Sequence, residues 1–181
     1  MKKILITIIL FFFTTSLNAN DREVELNQLF VELKKDIPSL SSKIEQQIWV
    51  LWSTHPTDQK LTSMLDEGSK LVQDRKLNRA ITVFTEAIEL DPLWAEAWNK
   101  RATVFYMVGE FQKSQNDINK VLELEKRHFG ALAGQGLVNI QLRNYDKAKK
   151  SYRKAQEIYP TMKSLKLMIE KIEELIKRQS I

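Results

Sequence analysis

The sequence has no cysteine among its 181 residues, which excludes a disulfide framework, a thiolate nucleophile and any cysteine-ligated metal site. Glycine and proline are also scarce, with five and four residues respectively. Because these two residues interrupt regular structure most strongly, their scarcity favours helix. Hydrophobic residues make up 43% of the chain and charged residues 28%, a composition typical of globular proteins. The sequence therefore predicts one ordered, largely helical domain.

A single long apolar run lies at the N-terminus. Two lysines precede the mostly apolar residues 4–13, and a short polar stretch then ends at Ala19. This order is typical of a secretory signal peptide, whereas a membrane-spanning helix needs about 20 apolar residues. We therefore expect residues 1–19 to be an export signal. Cleavage after Ser16, or retention of the run as a membrane anchor, are the alternatives.

Comparison of the chain with itself reveals a period of 34 residues. Small residues recur at Gly68, Ala102 and Gly136, and larger apolar residues recur at fixed distances from them. The further columns hold Leu77, Phe111 and Tyr145, then Phe84, Ile118 and Tyr152, and finally Leu90, Leu124 and Ile158. Such a period is typical of stacked helical hairpins, because one hairpin cannot bury its apolar face alone.

This pattern of aromatic and small positions, together with Pro92 and Pro160 at twice the period, resembles the tetratricopeptide repeat family. The resemblance divides the chain into three repeats, which are 61–94, 95–128 and 129–162. It implies an all-α fold, an α-solenoid of helix-turn-helix repeats. The chain departs from the family pattern at four positions, where Leu or Tyr is usual and where it has Glu67, Arg101, Gln135 and Asn139. We expect these polar side chains either to weaken packing or to face something polar.

The stretches WNKRATVFYMVGEF and KRHFGALAGQGL are similar to short exported proteobacterial members of this family that have no established activity. This similarity and the export signal together predict a periplasmic protein, with an inner-membrane anchor facing the periplasm as the alternative.

The segments that flank the repeats are predicted to cover their two ends. Residues 20–60 are expected to form a helical hairpin, in which Pro38 ends the first helix. A capping box of Ser42 and Glu45 is expected to open the second helix. Residues 163–181 are expected to form an amphipathic helix that caps the last repeat.

Residues that could carry chemistry are few. His55 and His128 lie far apart in the chain, and neither has a second ligand at metal-binding spacing. No serine lies in a G-x-S-x-G setting. We therefore predict no catalytic residue, no metal site, no cofactor and no enzymatic activity. The four tryptophans are predicted to pack between helices rather than bind a cofactor, and they are Trp49, Trp52, Trp94 and Trp98.

Three of the five glycines fall close together, at Gly130, Gly134 and Gly136. A phosphate-binding loop would place glycines at a strand-to-helix turn, but the 34-residue period puts these inside a helix. Gly130 and Gly134 lie one turn apart, and each glycine lowers the stability of the helix by about 1 kcal/mol relative to alanine. We expect something to pack closely against them, either the C-terminal helix of the protein, which we favour, or a bound partner.

The resemblance implies a concave groove, lined by the first helix of each repeat, that binds an extended peptide or a helix. The predicted partner-binding residues are Asn99, Lys100, Thr103, Tyr106, Gly130, Gly134, Leu137 and Gln141. In this family, a clamp of cations and asparagines grips the carboxylate end of chaperone tails. The corresponding positions here hold Leu65, Ser69, Lys100, Gly130 and Gly134, so we predict that the clamp is absent.

These features predict a non-catalytic protein-interaction module, an exported scaffold or assembly factor. A membrane-tethered, chaperone-like holder is the alternative, and a small-ligand-binding protein is less favoured. Whether the groove is filled by the protein itself, for example by the N-terminal hairpin of another copy, stays open.

Charge is unevenly distributed along the chain. Residues 21–119 carry 16 acidic and 12 basic side chains, whereas residues 120–181 carry 14 basic and seven acidic ones. Five of the cations lie on the predicted second helix of the third repeat, and they are Lys147, Lys149, Lys150, Arg153 and Lys154. Because we expect export, we do not expect a nucleic acid partner. Phospholipid headgroups, an acidic protein partner or a solvated outer face are the remaining interpretations.

Overall fold

The computed structural model describes residues 21–35 and 37–179, and all regular secondary structure within them is helical. The first helix, α1, spans 21–33. The other helices are α2 (Pro38–Ser53), α3 (Gln59–Gln73), α4 (Leu77–Leu90), α5 (Ala95–Met107), α6 (Phe111–Leu124), α7 (Phe129–Gln141), α8 (Tyr145–Ile158) and α9 (Lys163–Gln179). The predicted export signal lies outside the described residues. Within those ranges, no helix combines the length and apolar character needed to cross a membrane.

The predicted all-α solenoid is confirmed. Helices α3 and α4, α5 and α6, and α7 and α8 pack as three successive hairpins. Each hairpin stacks on the next, since α4 contacts α5, α6 contacts α7, and α8 contacts α9. The second helices begin at Leu77, Phe111 and Tyr145, so they keep the 34-residue period of the sequence.

The turns inside the three hairpins share one backbone conformation. The second residue after each first helix has a positive φ, which is 61° at Arg75, 83° at Gly109 and 58° at Arg143. The next amide then donates back to a carbonyl five residues earlier, as from Glu110 to Phe105 at 2.9 Å. This Schellman-type ending satisfies carbonyl groups that the end of a helix would otherwise leave free.

The column of small residues allows the two helices of a hairpin to touch. A Cβ atom built on Gly68 would lie 2.3 Å from the ring of Phe84, and one built on Gly136 would lie 2.5 Å from the ring of Tyr152. In the middle hairpin, the Ser114 hydroxyl donates to the carbonyl oxygen of Ala102 at 2.8 Å. The small residues that recur every 34 positions therefore lie where the two helices of a hairpin meet.

Polar partners surround the departures from the family pattern on the second and third hairpins. The guanidinium of Arg101 donates to both carboxylate oxygens of Asp117, at 2.8 and 2.9 Å. Gln135 accepts a hydrogen bond from the Ser151 hydroxyl at 2.8 Å, and Asn139 donates to Gln115 at 3.1 Å. These side chains face something polar, which was one of the two expectations for them.

Helix α2 begins four residues before the predicted capping box. The expectation that Ser42 opens this helix is wrong, because Pro38 already occupies its first turn. Proline fits that position since the first helical amides have no partner within the helix. Ser42 therefore lies inside α2, and no side chain caps its start. Helix α1 correspondingly ends at residue 33, before Pro38.

The C-terminal helix α9 packs on α8 as the first helix of a further hairpin would. Its apolar side chains Leu165 and Ile172 are buried, while its Glu173 pairs with Lys149 and Arg153 of α8.

Two neighbouring glycines of α7 provide a matched test of the packing. We expect Gly136→Ala to lower the free energy of unfolding by about 1–3 kcal/mol, because the added methyl group overlaps a buried ring. We expect Gly134→Ala to raise it by up to about 1 kcal/mol, because the nearest heavy atom to its Cβ would be 3.7 Å away. Urea denaturation followed by circular dichroism measures both. Equal effects of the two substitutions would contradict this account.

Candidate functional site

Within the described residues, the first helices of successive hairpins contact one another more than the second helices do. Helix α5 contacts both α3 and α7 directly, in addition to its partner α6. Since α3, α5 and α7 approach one another in this way, they form the inner layer of the solenoid, and the surface that they present is the inner groove.

Most of the predicted groove residues lie around one small cleft between α5 and α7, of about 70 Å³. Six of them line it, and they are Asn99, Thr103, Tyr106, Gly130, Gly134 and Leu137. Its other walls include Ala102, Ser114 and Ile118. Gln141 lies beside it and donates to the Tyr106 hydroxyl at 3.4 Å. Lys100 is instead directed to Glu96, with 3.2 Å between its Nζ atom and Oε1 of the carboxylate.

Helices α1 and α2, the N-terminal hairpin, cover one end of the inner groove. A Cβ atom on Gly130 would lie 2.6 Å from the indole ring of Trp49 in α2. The expectation that the C-terminal helix packs against Gly130 and Gly134 is therefore wrong. Helix α9 continues the stack beyond α8, whereas α2 supplies the close approach at Gly130. Gly134 has only an ordinary contact, with Ile118 at 3.7 Å, and its face of the cleft is open.

The hairpin is held mainly by stacked rings. Trp52 lies parallel to the imidazole of His128, with 4.0 Å between ring centroids and 8° between planes. Phe129 packs against Trp52 at 5.1 Å and against Trp49 at 5.5 Å. The Trp94 indole donates to the Trp52 carbonyl oxygen at 2.9 Å. Trp94 and His128 stand 34 residues apart, immediately before α5 and α7, so equivalent positions of two repeats hold the hairpin.

Polar contacts at the edge of this aromatic cluster add to the attachment. The Tyr159 hydroxyl donates to Glu45 of α2 at 2.9 Å. Burial and this hydrogen bond raise the pKa of Tyr159 to about 12. Arg127 pairs with Glu23 of α1 at 3.1 Å, and its guanidinium lies 4.6 Å from the ring centroid of Phe30. Both helices of the N-terminal hairpin are thus attached to the chain next to α7 and α8, through Arg127 before α7 and Tyr159 after α8.

A buried polar cluster lies beneath the hairpin and was not predicted. Glu96 and His128 are both completely or almost completely buried, with 3.0 Å between Glu96 Oε2 and His128 Nε2. The amide of Ala131 donates to His128 Nδ1 at 3.0 Å, so Nδ1 acts as an acceptor and Nε2 carries the proton that is donated to Glu96. Glu96 lies one turn before Asn99 on α5, so helical register directs it to the groove face, but the hairpin covers it.

The ionisation of Glu96 depends on these neighbours. Burial raises the pKa of its carboxyl group, but the hydrogen bonds from His128 and Asn99 and the charge of Lys100 outweigh burial and leave the pKa below its usual value. The carboxylate is therefore charged at neutral pH although it is buried. Among the described residues, no group of three or more histidine, aspartate or glutamate side chains is arranged to hold a metal ion.

Known proteins with similar sequences and folds support the repeat assignment. A sequence model of the tetratricopeptide repeat matches residues 129–162. The TPR repeat-containing protein of Rhizobium etli is 33% identical over 136 residues, which cover 75% of this chain and 66% of that protein. Human RNA polymerase II-associated protein 3 is 22% identical over 138 residues, which cover 76% of this chain but 21% of the human protein.

Among solved structures, the first TPR domain of Spaghetti (RPAP3), bound to the HSP90 peptide SRMEEVD, superposes with a TM-score of 0.64 at 23% identity. The superposition covers 66% of this chain and 94% of that domain. Stacked helical hairpins with an inner groove define a helical repeat protein of the solenoid class. The chain belongs to the tetratricopeptide repeat family.

We expect Glu96→Gln to lower the free energy of unfolding at pH 7 by about 1–2 kcal/mol, because hydrogen bonds to a charged acceptor become bonds to a neutral one. The pKa of Glu96 is lower in the folded chain, so its contribution is complete well above the usual carboxyl value of 4.5 and is lost as pH falls below that value. The stability difference between parent and variant should therefore shrink in acid.

Urea denaturation at a series of pH values measures this difference. Glu89→Gln on the exposed face of α4 is the matched control and should change stability by less than about 0.5 kcal/mol. A difference between parent and Glu96→Gln that persists unchanged in acid would show that the carboxylate charge is not involved.

Proposed function

We propose that this chain is a non-catalytic, exported scaffold or assembly factor of the periplasm, and that it binds a peptide or a helix from a partner protein. The observation that carries the proposal is the open cleft beside Gly134. There the backbone of α7 is accessible between Tyr106 and Leu137, and Leu137 is exposed although it is apolar. A groove of this kind suits a partner segment that places an apolar side chain against the glycine.

The partner is proposed to differ from the chaperone tails that related domains bind. The Spaghetti domain was solved with an HSP90 peptide whose last four residues, EEVD, include three acidic ones, and such a tail needs cations in the groove. Here Leu65 is buried, Trp49 covers Gly130, and the charge of Lys100 is paired with Glu96. These three features support a ligand with an apolar anchor and polar main-chain contacts instead of a terminal carboxylate.

The experiment is crosslinking in intact cells with a photoreactive residue in place of Tyr106, followed by identification of the captured protein. We expect Leu137→Glu to abolish capture, because a charge would replace the apolar wall of the cleft. The matched control is Leu167→Glu, since Leu167 is also an exposed leucine on a helix but lies on α9. Capture that survives Leu137→Glu, or that is lost equally in both variants, would contradict the proposed site.

The location is tested by mass spectrometry of the mature chain. A chain that begins at Asn20 is expected if the export signal is removed, and it would exclude the alternative of a membrane-tethered, chaperone-like holder. A chain that keeps residues 4–13 and fractionates with the inner membrane would favour that alternative.

A further inference from the structure

A second concave surface lies on the outer layer of the solenoid, away from the inner groove. It is a cleft of about 370 Å³ between α6 and α8, and we call it the outer cleft. One wall is lined by three amide side chains of α6, those of Gln112, Gln115 and Asn119. Lysines of α8 line the other wall, where they are Lys147, Lys150 and Lys154.

The floor of the outer cleft is built from two of the departures from the family pattern. Gln135 and Asn139 of α7 lie there, at positions where the family usually has Leu and Tyr. Asn139 is 5% exposed and donates to Gln115 and to the Gln135 carbonyl oxygen, at 3.1 and 2.8 Å. These hydrogen bonds offset the free energy that is lost when amide groups are removed from water. The result is a polar cleft instead of a closed apolar contact.

The cations of α8 divide into two sets with different surroundings. Lys149 and Arg153 lie within 2.6 and 3.3 Å of Glu173 in α9, so their charge is balanced within the chain. Lys147, Lys150 and Lys154 have no carboxylate at ion-pairing distance among the described residues, and none of the residues that line the outer cleft is acidic. Three positive charges therefore face one polar cleft without a counterion from the described chain.

We propose that the outer cleft binds an extended acidic peptide segment of a partner protein. Lys147, Lys150 and Lys154 follow one face of α8 over seven residues, which corresponds to about 10 Å along the helix. An extended peptide places side chains on one face about 6.6 Å apart, so two or three alternating carboxylates match the length of the lysine row. On α6, Asn119 Nδ2 and Gln112 Oε1 can then bond to the peptide main chain, because the bonds within the chain use Asn119 Oδ1, Gln112 Nε2 and both amide atoms of Gln115.

The shape and lining of the outer cleft favour a peptide over a lipid surface. Interfacial binding to a bilayer needs a face whose apolar side chains enter the membrane. The lining of this concave surface is polar or charged except for Leu142, and it includes no aromatic residue.

The test uses a labelled peptide of five alternating Glu-Ser pairs, with the Gln-Ser peptide of the same length as its control. Fluorescence anisotropy measures binding to the chain from Asn20 onwards, which includes the N-terminal hairpin. We expect the triple variant Lys147→Gln, Lys150→Gln, Lys154→Gln to weaken binding of the Glu-Ser peptide about tenfold or more, since three ion pairs are lost.

The matched control is the triple variant Lys166→Gln, Lys171→Gln, Lys177→Gln on α9, which removes the same charge from exposed positions and should keep parental affinity within about twofold. The groove variant Leu137→Glu should also keep it. Equal weakening in the two triple variants would overturn the proposal, because net charge alone would then explain binding. Loss of peptide binding in Leu137→Glu would overturn it by placing the peptide in the inner groove.

Vesicles of equal parts phosphatidylethanolamine and phosphatidylglycerol complete the test. Cosedimentation that depends on the three outer-cleft lysines, with no binding of the Glu-Ser peptide, would overturn the proposal in favour of a lipid headgroup surface. Binding of the Glu-Ser peptide that is selectively lost in the outer-cleft variant, with the Gln-Ser peptide inactive throughout, is the result that supports it.

Discussion

Contact between an aromatic ring and a residue without a side chain determines the geometry of the first and third hairpins. Phe84 fits against Gly68, and Tyr152 fits against Gly136, at distances that leave no room for a methyl group. Because protein interiors are packed to nearly crystalline density, these contacts fix how closely the paired helices lie. Helices α3, α5 and α7 also contact one another as one layer. The inner groove that they form is therefore built from hairpins whose helices the small residues hold close.

The repeat architecture could be predicted because its determinants recur within short stretches of sequence. Small and aromatic columns 34 residues apart mark each hairpin, and the second helices begin where that period requires. The position of the N-terminal hairpin could not be predicted in the same way. Its main contacts join Trp49 to Gly130 and Trp52 to His128, about 80 residues apart and outside the repeat. The expected close approach is present at Gly130 but not at Gly134. A glycine indicates that a neighbour can lie close to the backbone, but not which helix that neighbour belongs to.

The candidate site was partly predictable for a related reason. Helical register assigns side chains to faces, and most of the predicted groove residues do line one cleft. Register carries no information about burial by a distant segment: Glu96 lies one turn from Asn99 on α5, yet it is buried beneath Trp52 and His128. A glutamate and a histidine 32 residues apart give no local pattern. Likewise, the five cations of α8 form one cluster in the sequence. Only the position of Glu173 in the structure distinguishes Lys149 and Arg153, which pair with it, from the three lysines that face the outer cleft.

The link between the N-terminal hairpin and the first repeat has a consequence for competition in the groove. Only residues 54–58 separate α2 from α3, so Trp49 cannot diffuse away from the domain. A short tether of this kind gives the attached segment an effective concentration in the millimolar range or above. A free helix that binds at the Gly130 end therefore competes with α2, which is always present at that concentration. Its apparent affinity is its intrinsic affinity multiplied by the fraction of molecules in which α2 has left Gly130. The Gly134 end carries no such penalty, and the two ends of one groove thus differ in affinity for the same free ligand.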